Sequence, residues 1–66
     1  MDRTDEIEAV VGFVRRHPES LVSRRILRET DVEFARDTQE QSVQNLRSSL
    51  SVLEDEAITR YYYLIR

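Results

Sequence analysis

The chain has no cysteine and no tryptophan, one glycine, one proline and one histidine. Without cysteine there are no disulfide staples, and a lone His17 cannot build the usual zinc site. Gly12 as the only glycine excludes a glycine-rich phosphate loop. With Pro18 as the only proline, the chain also lacks the turn formers of an all-β fold. No apolar run approaches the roughly 20 residues that span a bilayer. The first residues are acidic, unlike a signal peptide, so a cytoplasmic protein without membrane contact is expected. Lysine is absent as well, and every basic residue is arginine.

What is present suits one small soluble domain over residues 1–66, with 39% apolar and 35% charged residues. A chain of this length buries only roughly 60% of its unfolded surface, which makes homodimerisation a cheap source of further burial. The net charge of −3 is unevenly spread. Residues 1–8 are acidic. Residues 9–28 carry Arg15, Arg16, Arg24, Arg25 and Arg28 against Glu19 alone. Residues 29–40 carry Glu29, Asp31, Glu33, Asp37 and Glu40 against Arg36. A basic block in an acidic chain is a polyanion footprint or a set of solvated helix faces with internal pairing.

Ile7, Val10, Val11 and Val14 form one stripe of an amphipathic helix. Thr4 reads as its N-cap and Pro18 as its stop, placing it at about residues 4–17. A second helix runs from a cap at Ser23, or at Ser20 three residues earlier, to Glu29 or Thr30. Thr38 and Gln41 fit a capping box for a long helix from 37 or 38 to 56. Val43, Leu46, Leu50, Leu53 and Ala57 follow a 3-4-3-4 seam along it. A single helix from about 31 to 57 is the alternative. Residues 58–66 are β-branched and aromatic on both faces, which predicts a strand.

Helix, connector, short helix, long helix and strand is the order of a winged-helix domain without its last wing strand. Leu21-Val22-Ser23-Arg24-Arg25-Ile26-Leu27-Arg28-Glu29-Thr30 resembles the helix-turn-helix opening of winged helix-turn-helix transcriptional regulators. Asn45-Leu46-Arg47-Ser48-Ser49-Leu50 and Leu53-Glu54-Asp55-Glu56-Ala57-Ile58-Thr59-Arg60 resemble the end of their recognition helix. The resemblance covers about residues 20–63. The connection from Asp31 to Asp37 is longer than the motif's turn, and Ala57 stands where the family usually has glycine. The fold expected is therefore mainly α, a three-helix winged-helix-like domain with a short C-terminal β-strand.

That frame makes the outward face of the long helix, with Gln41, Gln44, Asn45, Arg47 and Ser48, the candidate base-contacting surface. Amides read adenine and arginine reads guanine. Arg24, Arg25 and Arg28 are the candidate phosphate contacts, or else partners of nearby carboxylates such as Glu29. Tyr61, Tyr62, Tyr63 and Ile65 on the apolar tail are the candidate dimer contacts. His17 reads as a helix C-terminal cation, and the serines have no Ser-His-Asp arrangement around them. No enzyme, metal, cofactor or small-molecule substrate is indicated. Two functions follow: a homodimeric regulator binding double-stranded DNA, which needs a helix break near 31–37, or a helical dimerisation or adaptor module for protein–protein interaction, whose 43–57 seam pairs with itself or with a partner helix.

Overall fold

The computed structural model describes residues 2–66. In chain order its helices are α1 (Arg3–Arg16), α2 (Leu21–Glu29), α3 (Gln39–Ser51) and α4 (Asp55–Ile65). The predominance of helix agrees with the composition. The C-terminal strand does not: among the described residues there is no strand, and 55–65 is helical. The three-helix winged-helix-like arrangement with its short strand is thereby replaced by four helices.

The reason lies in burial. Ile58, Tyr61, Tyr62 and Ile65 recur at i, i+3, i+4 and i+7, a helical stripe hidden in a β-rich composition. Ile58 and Tyr61 bury against the α1 stripe of Ile7, Val10, Val11 and Val14. Tertiary packing thus overrides the local β preference of this tail. Asp55 and Glu56 lie in the first turn of α4, where the helix dipole favours acids. Thr59 Oγ1 donates to Glu6 Oε1 at 2.9 Å and ties α4 to α1.

Helix α1 is the centre of the fold, packed by both α3 and α4, while α2 leans on α4. Val43, Leu46 and Leu50 of α3 point inward and join Ile26 and Leu27 of α2 in one core. The predicted long helix is broken. It ends at Ser51, and residues 52–54 turn the chain back so that α4 can reach α1. Ser51 Oγ donates to the Arg47 carbonyl at 2.8 Å, a back-bond that weakens a helix from within. The corner is then held from outside. Arg3 Nη2 donates to the Ser51 and Leu53 carbonyls at 2.7 and 2.5 Å, and its Nη1 pairs with the Asp55 carboxylate.

The caps correct the sequence reading at α1 and refine it at α2 and α3. Asp2 caps α1 in place of Thr4, accepting from the Asp5 amide at 2.9 Å. Ser20, the earlier of the two candidates, caps α2 by accepting from the Ser23 amide at 3.1 Å. Ser23 is fully buried instead, and its hydroxyl has no hydrogen-bond partner among the described residues. Thr38 is the N-cap of α3 but makes no side-chain capping bond. Gln41, the other half of that expected box, donates to Asn45 Oδ1 at 3.0 Å.

Helix α2 ends in a Schellman arrangement. The Val32 amide donates to the Leu27 carbonyl at 2.9 Å and the Asp31 amide to the Arg28 carbonyl at 3.2 Å. Asp31 takes the left-handed position, with φ of 57°, that glycine usually fills. The chain then runs without regular structure to Thr38, with Val32 and Phe34 half-buried against the core. The buried Ser42 hydroxyl accepts from the Ala35 amide at 3.0 Å and pins this segment to α3. No helix among the described residues is long and apolar enough to cross a membrane.

Candidate interaction surface

The outer face of α3 presents Gln41, Gln44, Asn45 and Ser48 to solvent. Arg47, the fifth candidate on that helix, turns the other way. It grips Glu8 of α1 with two bonds, Nε to Oε2 at 2.7 Å and Nη2 to Oε1 at 3.0 Å. That fork-to-carboxylate geometry holds the Glu8 carboxyl below its usual range and pushes the Arg47 guanidinium up. The only arginine of α3 is therefore occupied in joining α3 to α1.

Carboxylates surround the same face. Gln41, Asn45 and Ser48 line a groove of about 480 Å³ whose opposite wall carries Asp31 and Glu33. Asp37 and Glu40 flank the start of α3, and Glu40 is paired with Arg15 at 2.8 Å. A phosphate backbone entering this groove would meet the Asp31 and Glu33 carboxylates on that wall.

Helix α2 carries three exposed arginines, Arg24, Arg25 and Arg28. Arg25 Nε holds Glu29 Oε2 at 3.2 Å, the i, i+4 pair that the spacing allowed. The other Glu29 oxygen accepts from the Tyr61 hydroxyl at 2.8 Å. The Tyr61 bond, followed by that of Arg25, holds the Glu29 carboxyl below its ordinary range. Burial, followed by the Glu29 bond, pushes the Tyr61 phenol up. Arg24 and Arg28 are exposed, and among the described residues neither has a carboxylate within salt-bridge distance. Leu21, one turn before Arg24, is 81% exposed.

Beside this stripe lies a second groove of about 400 Å³ between α2 and the segment that follows it. Leu27, Phe34 and Pro18 supply its apolar surface, and Arg24, Arg36 and Glu19 its polar rim. Arg36 Nη2 pairs with Glu19 Oε2 at 2.9 Å across the opening, both side chains almost fully in solvent. Sequence reasoning missed Phe34 and Arg36 as surface-forming residues. The αL turn at Asp31 that folds them back onto α2 has no glycine to announce it.

The four tail candidates divide. Tyr61 is buried within this chain and spends its hydroxyl on Glu29, so it is not a free contact residue. Tyr62 and Ile65 are half-buried, and Tyr63 is exposed. The Arg66 guanidinium lies 5.6 Å from the ring centres of both Tyr62 and Tyr63. His17 is the C-cap residue of α1, its ring 5.1 Å from that of Phe13. Comparison of the chain with protein-family models, with curated proteins and with solved structures gave no match.

Proposed function

We propose that this chain is a small helical module that acts by binding a protein partner over α2 and the segment after it. One observation carries the reading: an exposed leucine and an apolar groove share a surface with unpaired arginines. A phosphate backbone gains nothing from Leu21, Leu27 and Phe34, whereas apolar anchors ringed by arginine are what protein interfaces use. The adaptor expected from the sequence would pair through its 43–57 seam. Val43, Leu46 and Leu50 are internal, so a partner has to use another surface.

A second reading, double-stranded DNA bound through α3, draws support from four exposed amide and hydroxyl side chains and from the helix break at 30–38. The carboxylates in the adjoining groove and the capture of Arg47 by Glu8 rank it below the first. The case for a homodimer rested on a strand with two uncovered apolar faces. With 55–65 helical and Ile58 and Tyr61 covered by α1, Tyr62, Tyr63 and Ile65 are what remains for self-association.

Two selections run in parallel on the folded protein separate the readings: a random duplex DNA library at low salt and a displayed random peptide library. Enrichment of peptides without enrichment of any DNA sequence is the expected result. Enrichment of a DNA sequence whose binding weakens on Gln44→Ala, with no peptide enriched, would overturn the proposal in favour of the regulator.

A further inference from the structure

We infer that the groove between α2 and the 30–38 segment takes an acidic peptide segment bearing one bulky apolar side chain. This rests on the protein-interaction reading and names the chemistry of its partner. The groove is open at the surface and lined by Leu27, Phe34 and Pro18, room for a single large side chain with its flanking backbone left outside. Its rim supplies the charge. Arg24 has no carboxylate partner among the described residues, and its guanidinium can take one bidentately. Arg36 is engaged only by Glu19 in a pair that is about 80% exposed on each side. Such a pair contributes little, so an incoming carboxylate can exchange with Glu19 at small cost. The rim carries two arginines against one carboxylate, Glu19, on a chain of net charge −3.

A second copy of the chain is a poorer occupant. Its own acidic and apolar run, Asp31-Val32-Glu33-Phe34, already turns Val32 and Phe34 into its own core. Offering them to a neighbour would undo the Schellman turn and the Ser42 anchor. The occupant is a segment of another protein, with carboxylates on both sides of a Leu, Phe or Trp to meet Arg24 and Arg36.

The test uses a fluorescein-labelled acidic peptide with one central tryptophan, followed by anisotropy and by ¹H–¹⁵N shifts of the whole protein. Saturable binding that moves the Arg24, Leu27, Phe34 and Arg36 amides is expected. Replacing the peptide's tryptophan by alanine, or the double substitution Arg24→Glu with Arg36→Glu, should weaken binding about tenfold or more, the scale of one or two charge-assisted contacts. Both arginines are rim residues, so an unchanged melting curve certifies the fold of that variant. The inference is overturned by equal binding of the alanine peptide, by shifts confined to α4, or by a concentration-dependent dimer whose dissociation moves the same groove amides. Its failure is distinct from failure of the module itself: peptides of another chemistry, enriched and mapping elsewhere, would remove the groove assignment alone. Enrichment of DNA only would remove the module as well.

Discussion

Arg3 reaches from the first turn of α1 to the corner between α3 and α4, and its removal is the sharpest test of how that corner is held. Its guanidinium satisfies the Ser51 and Leu53 carbonyls and pairs with Asp55. The Ser51 carbonyl is among the last four of α3, which have no partner within the helix, and the Leu53 carbonyl lies in the turn that follows. Hydrogen bonds from a charged donor contribute about 1.5–3 kcal/mol. The Asp55 pair adds about 0–1 kcal/mol at most, because Asp55 is 82% exposed. Arg3→Ala should therefore cost about 2–3 kcal/mol, and alanine at an early helical position does α1 no harm. For a domain of this size that is a fall in Tm of roughly 8 °C or more. Arg3→Lys keeps the charge without the fork and should recover less than half, while Asp55→Asn should cost under about 1 kcal/mol. Urea titrations followed by circular dichroism measure all three. If Arg3→Ala matches the parent within about 0.5 kcal/mol, or if Asp55→Asn is as damaging, the carbonyl contacts do not hold the corner.

Leu50 is fully buried, so Leu50→Ala should lose about 2–5 kcal/mol in the same titration, and an unchanged midpoint would mean the inward face of α3 is misassigned. Asp31→Gly should gain about 0.5–1 kcal/mol, since the left-handed position costs an L-residue more than glycine loses in entropy; a lower urea midpoint would contradict the αL turn. Gly12→Ala should stabilise by a similar amount. An added Cβ meets only the mobile end of Arg16, at 3.2 Å, and a loss of stability would show that this end cannot move aside. The pH dependence has two limbs. Glu29 and Glu8 have depressed folded pKa values, so their contribution is full above the usual 4.5 and is lost as pH falls through the lower folded value. Tyr61 has a raised one, so its contribution is full below 10.0 and is lost as pH climbs through the higher folded value. Tm against pH should drop at both ends, and Tyr61→Phe should abolish the alkaline limb and shrink the acid one; a Tyr61→Phe profile parallel to the parent's would disconnect the pair.

The stripes at 7, 10, 11 and 14 and at 43, 46 and 50 were legible because each is amphipathic along one helix. The Arg25–Glu29 pair was legible from its spacing alone. The helix of the tail was not. Ile58, Tyr61, Tyr62 and Ile65 fit a helical period as well as a strand, and only the neighbouring face of α1 decides between them. The corner at 52–54 was equally hidden, because its stop signal is Arg3, some fifty residues away in sequence. On the surface, the exposure of Gln41, Gln44, Asn45 and Ser48 followed from helical phase. The diversion of Arg47 to Glu8 and the second groove depend on which elements become neighbours, which periodicity does not encode.

The pairing of α1 with α4 also governs the order of events at the ribosome. Helix α1 has the later α4 as its principal partner, through Glu6 and Thr59, Arg3 and Asp55, and the Val10–Ile58 core. Until residues 55–65 leave the exit tunnel, only α3 can cover part of the α1 stripe. Helices this short are marginal on their own in water. The packing around α1 is therefore incomplete until α4 is available. A chain cut before residue 55 would leave part of its valine stripe open to proteases and chaperones.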